Sequence, residues 1–246
     1  FGWECWNNNG PYDSVFFNVI CIDASQAAAH TYNGITVGPL ATGRFIGCHV
    51  WTRAASKRCA WAIKILGGSN EFVGCHFEGA WFGNVGIFSN NNVFDDSNRY
   101  YAAWNGFNIY LGETASLNVI KGYLEVPGEG RPACKGIVLG GEPTDYVSGN
   151  IIDVAAMNQN AGSIDFTNSD GNNKVIVKGW QTSGPLYVGT PHPTDIYDIR
   201  IQGATPSTFT NISGSIGYTG SQGPTGYTGS QGSIGYTGSQ GSVGYT

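Results

Sequence analysis

Glycine returns at every third position along the C-terminal tract: Gly214, Gly217, Gly220, Gly223, Gly226, Gly229, Gly232, Gly235, Gly238, Gly241 and Gly244. Only glycine fits at the crowded axis where three polyproline II strands meet, so this unbroken period predicts a collagen-like triple-helical stem over 214–246. A triple helix needs three strands, and the tract therefore predicts a homotrimer. Pro224 is its only proline, so ring constraint pre-organises the strands little, and contacts made upstream are expected to bring the chains into register. At about 3.1 Å per residue the stem would span on the order of 100 Å, a length that suits a spacer.

The rest of the chain reads as one β domain. Charged residues are 12% of the sequence against about a quarter in an average soluble domain, while aromatics reach 13%. Such a balance fits aromatic and β-branched strands punctuated by Gly and Asn turns. A net charge of −5 without a Lys/Arg cluster argues against nucleic acid as a partner. No apolar run approaches the roughly 20 residues of a membrane-spanning helix. The opening FGWECW has the character of core, so the chain reads as a fragment or processed product.

Short strands recur at one coil length. A first set runs through Ile35, Ile63, Ile87, Phe107, Ile137, Ile164 and Leu186; a second set includes FIGCHV (45–50), FVGCHF (72–77), VIKGYL (119–124) and IIDVAA (151–156). Self-similarity at 20 to 30 residues, without helical periodicity between the strands, predicts an all-β, right-handed parallel β-helix over 1–204. Its N-terminal cap would occupy about 1–30, and 205–213 would be a linker to the stem.

Alternation along each strand assigns its faces. Reading the second set straight through puts Ile46, Cys48 and Val50 inside, over Val73, Cys75 and Phe77 and then Ile120, Gly122 and Leu124. Phe45 and Phe72 then face outward with His49 and His76. An apolar outer ladder marks a covered surface, so Phe45 and Phe72 become the expected trimer contacts of the body. Cys21, Cys48 and Cys75 are spaced by 27 residues and should form one buried, reduced column. The remaining cysteines show no metal-ligand spacing, and neither a metal nor a cofactor is expected.

A β-helix joined to a Gly-X-Y stem with the GYTGSQG repeat resembles bacteriophage tail fibres and tailspikes, in particular cyanophage-like proteins with a pectin-lyase-like β-helix and collagen-like repeats. The resemblance covers 214–246 by repeat and roughly 14–203 by pattern. It implies a trimer on the virion surface or in an extracellular fibre, recognition of host cell-surface polysaccharide, and contacts with other virion or filament proteins. Some members of that family cleave the glycan, and collagen-like stems also occur in bacterial extracellular filaments and adhesins. Depolymerase and filament subunit are thus the alternatives to a recognition fibre.

Glycan hydrolysis needs paired carboxylates, about 5–5.5 Å apart for retention or 6.5–9.5 Å for inversion. Coil alignment puts Glu78 and Glu125 at one position of coils two apart, with Asp95 and Asp96 between them; an adjacent Glu78–Asp96 pair is the expected catalytic geometry. Solvated strand-end carboxylates are the bland alternative. Trp81, Phe82, Tyr100, Tyr101, Trp104 and Tyr110 are the candidate sugar-stacking rings, with intersubunit packing as their other reading. His49 and His76 should stack as a plain surface ladder, since no carboxylate pattern accompanies them; a metal held through the imidazoles of three copies, were the trimer axis to meet the ladder, is their other reading.

Overall fold

A computed structural model describes residues 3–5, 13–22, 32–52, 58–101, 103–104, 106–125, 135–157, 164–181, 187–203 and 209–213. The glycine-repeat stem, with every glycine from Gly214 to Gly244, and Cys134 lie outside the described residues.

The chain is an all-β parallel solenoid. One sheet stacks Trp3–Cys5, Ile35–Val37, Trp61–Ile65, Gly83–Ile87, Phe107–Leu111, Lys135–Leu139, Ile164–Asp165 and Tyr187–Val188 in parallel order. The second begins as two parallel runs side by side. Ser14–Phe17, Gly43–Ile46, Glu71–Val73 and Val93–Phe94 form one; Ile20–Ile22, His49–Trp51, His76–Glu78 and Arg99–Tyr101 form the other. Both runs pair with the single long strand Val119–Glu125, and the merged sheet continues through Ile151–Met157, Lys174–Gln181 and Ile196–Gly203. Phe209–Ser213, read from sequence as linker, adds an antiparallel strand to the last of these.

The split of the early coils has a local cause. Asn18, Gly47 and Gly74 occupy equivalent positions and have φ of 51°, 62° and 60°. This left-handed region costs Gly nothing and Asn little. Each makes a corner, so the residues on both sides of it point inward. Phe45 and Cys48 are both buried, as are Phe72 and Cys75, while Ile46 and Val73 are only half-buried.

That corner corrects the expected outer ladder. Phe45 and Phe72 are 1% and 0% exposed and belong to the core, so they are not available as intersubunit contacts. Phe16, Phe45, Phe72 and Phe94 stack in sequence with centroids 4.7, 4.8 and 4.2 Å apart and planes within 16°. Ile120, Ile152 and Val175 extend the column. Cys21 pairs with Val50, two residues along the strand from the expected column with Cys48 and Cys75. Cys21, Cys48, Cys59 and Cys75 are free thiols and buried, in line with the expected reduced state.

A line of asparagines holds the turn that enters the second sheet. Asn70, Asn92, Asn118, Asn150 and Asn173 are at most 1% exposed. Each donates its backbone N–H and its Nδ2 to Oδ1 of the next, over 2.9–3.1 Å, down to Asn173. Buried amide groups must be paired, and here every coil satisfies its neighbour.

Candidate functional site

Beyond the glycine corner the second run alternates strictly. Val50, Phe77, Tyr100 and Leu124 face inward and are buried, so their neighbours form two outward columns. The first is His49, His76, Arg99 and Tyr123; the second includes Glu78, Tyr101 and Glu125. Across them lies a cleft of about 150 Å³, lined by His76, Arg99, Tyr101, Tyr123 and Glu125 over the buried Tyr100.

The register brings Glu78 and Glu125 to either side of Tyr101, as the coil alignment expected. With neighbouring strands about 4.8 Å apart, their strand positions are separated by roughly 9.6 Å. Both carboxylates are half-buried. Glu125 and burial together push the Tyr123 hydroxyl up, burial first, while Arg99 acts in the opposite sense. Glu78 Oε2 stands 3.7 Å from His76 Nε2.

Glu78 does not pair with Asp96. Arg99–Tyr101 lies against His76–Glu78, so Glu78 faces Tyr101, and Asp95 and Asp96 belong to the wider corner preceding that strand. Asp95 Oδ1 accepts from Ser97 Oγ at 2.6 Å and Asn98 Nδ2 at 2.9 Å, which commits it to shaping the corner. Asp96 is exposed there.

His49 and His76 do stack, with centroids 4.4 Å apart and planes 7° from parallel. Trp51 stacks on His49 at 5.8 Å and Tyr101 meets His76 edge-on at 6.4 Å. Burial lowers the affinity of both rings for protons. His76 falls to about 4, with the fields of His49 and Arg99 adding to burial. Both imidazoles are neutral at pH 7, so the His76–Glu78 contact is not an ion pair. Contrary to the sequence expectation, a carboxylate does accompany this histidine ladder.

The predicted aromatic set divides. Tyr101 lines the cleft, and Phe82 is 45% exposed. Trp81 and Trp104 are half-buried, and the Arg58 guanidinium lies 3.6 Å over the Trp104 ring. Tyr100 is 0% exposed and donates its hydroxyl to the Lys121 carbonyl at 2.8 Å, so it cannot stack on a ligand. Tyr110 stands on the other sheet, in a cluster with Trp61, Phe88 and Phe107 at 5.5–5.6 Å. There Gly83 and Gly86 make room for the flat Trp61 ring, which a Cβ at either would meet within 3 Å.

Sequence reading missed Arg99, Tyr123 and the Trp61 cluster as site groups, because outward positions become neighbours only through register. It also missed the asparagine ladder. The available signal was an Asn, finally Asp, directly before six of the second-sheet strands: NEF, NVF, NVI, NII, NKV and DIY.

Among the described residues no helix is long and apolar enough to cross a membrane. No protein-family model matches the chain, and no curated protein or solved structure shows significant similarity to it.

Proposed function

We propose that this solenoid binds and cleaves a polysaccharide, with Glu78 and Glu125 as its working carboxylates. The observation that carries the reading is their placement on either side of Tyr101, beside a cleft that also presents Arg99 and Tyr123. A separation of about 9.6 Å between strand positions is close to the 6.5–9.5 Å of inverting hydrolases, in which one carboxyl protonates the leaving oxygen and the other activates a water. Tyr101 between them offers a ring face for a sugar. Asp95 has a structural task and is outside the proposal, as is exposed Asp96. Trp81, Phe82 and Trp104, on the turns following this face, are proposed to extend glycan contact.

The glycine repeat favours a second, compatible reading of how the site is carried. Three chains, each a right-handed coil, would join through a triple-helical stem into an extracellular or virion-surface fibre that meets a host glycan.

Incubating the full chain with a panel of bacterial surface polysaccharides, and following reducing ends and chain length, tests the activity. Shortening by the wild-type chain that is lost in Glu78→Gln and in Glu125→Gln supports the pair. Binding without shortening leaves a recognition fibre, and cleavage that survives both substitutions removes the pair from the chemistry. Sedimentation equilibrium of the full chain reads the trimer.

A further inference from the structure

The same face carries a group of donors that the carboxylate pair does not explain. His49 and His76 stand on adjacent rungs with their rings 4.4 Å apart. Nε2 of each is buried and has no hydrogen-bond partner. Glu78 follows His76 by two residues on the same strand, so both point outward. The potential ligand atoms of His49, His76 and Glu78 all lie within 4.8 Å of one another.

Two buried imidazole nitrogens without partners are costly to maintain, and their adjacency to a carboxylate needs a reason. A neutral imidazole nitrogen offers a lone pair. Two such nitrogens and one carboxylate oxygen form the donor set of three-ligand zinc sites that leave a fourth position open.

We infer that His49, His76 and Glu78 form a binding site for a divalent first-row transition ion, for which Zn²⁺ is the appropriate probe. With metal–nitrogen bonds of about 2.0–2.1 Å and a tetrahedral angle, the two nitrogens would stand about 3.4 Å apart. Because each lone pair lies in its ring plane and the planes are 7° from parallel, binding would require the stack to open so that both nitrogens converge on the ion. Cys21, Cys48, Cys59 and Cys75 lie in the core, so they do not contribute donors on this outer face. Glu78 is common to this site and to the carboxylate pair, and a bound ion would withdraw it from the pair. The inference does not depend on glycan cleavage, because metal uptake is read without any glycan.

The test is calorimetric titration of the chelator-treated full chain with Zn²⁺ at pH 7.5, beside His49→Phe/His76→Phe and Glu78→Gln. Phenylalanine keeps the ring stack while removing both nitrogen donors, and circular dichroism checks that each variant is folded. We expect saturable uptake of one ion per chain by the wild type and loss of that phase in the double phenylalanine variant. Loss of the carboxylate ligand should weaken binding at least as much as loss of an outer-shell partner, about tenfold or more. No saturable uptake by the wild type, or an isotherm unchanged in the double phenylalanine variant, overturns the site.

Discussion

Asn173 donates its backbone N–H and its Nδ2 to Oδ1 of Asp195, at 3.0 and 3.3 Å, and so ends the asparagine ladder on a carboxylate. Oδ2 of Asp195 accepts from Ser169 Oγ at 2.7 Å and from the His192 N–H at 3.0 Å. The side chains of Asn92, Asn118, Asn150 and Asn173 both give and receive, whereas that of Asp195 only receives. An amide there would turn an N–H₂ toward donors, which explains why the residue type changes at the last described rung.

Interrupting the ladder in its middle should be expensive. Asn118 accepts from Asn92 and donates to the Ser89 carbonyl and Asn150 Oδ1. Asn118→Leu keeps the volume but leaves several buried polar groups unpaired, at about 1–3 kcal/mol for each. We expect a loss of about 3 kcal/mol or more in urea unfolding.

The phenylalanine stack sets a contrast between two rings that sequence reading treated as surface groups. Phe72→Ala should lower stability by about 3–5 kcal/mol, the usual result of removing a fully buried aromatic ring. Phe82→Ala, on a half-exposed ring, should stay within about 1 kcal/mol. Matched denaturation curves of the two variants check this. Equal effects would return Phe72 to the surface.

His76 predicts acid sensitivity. Its proton affinity falls from a usual value of 6.5 to about 4 in the folded chain, burial being the main cause. The unfolded chain therefore takes up the proton first, and stability is lost as pH falls from about 6.5 toward about 4, then levels. Because the side chain is 32% exposed, the loss is discounted for solvent screening to about 1–2 kcal/mol. Unfolding measured with chelator present at pH 7.5, 5.5 and 4 should lose about that part of its slope in His76→Asn.

The cysteines predict slow labelling. Burial pushes the Cys59 thiol up to about 12, and Cys75 is raised by its hydrogen bond with Cys48 and by burial. Reaction of Cys59 and Cys75 with an aromatic disulfide reagent, followed by peptide mapping, should need unfolding conditions. Rapid labelling of either in the native chain would contradict its burial.

Several relationships were legible in the sequence alone. Coil-length self-similarity and the lack of helical periodicity pointed to a parallel solenoid, because a strand pattern repeated at one coil length buries the same positions in every repeat when successive coils stack. The same pattern placed Cys48 over Cys75, His49 over His76, and Glu78 at the level of Glu125 two coils on. These positions share one strand frame, and within a frame alternation carries the information.

Where the frame breaks, only the tertiary structure decided. Gly47 and Gly74 lie at positive φ, so alternation counted across them assigns Phe45 and Phe72 to the wrong face. The next coil turns its corner with the longer segment Asp95 to Asn98, which places Tyr101 opposite Glu78 and sends the Tyr100 ring inside. The length of a corner costs little locally and leaves no periodic trace, yet it sets every register after it. The asparagine ladder is of the same kind: each residue is unremarked alone, and its chemistry exists only once residues about a coil length apart in sequence are brought to within hydrogen-bond distance.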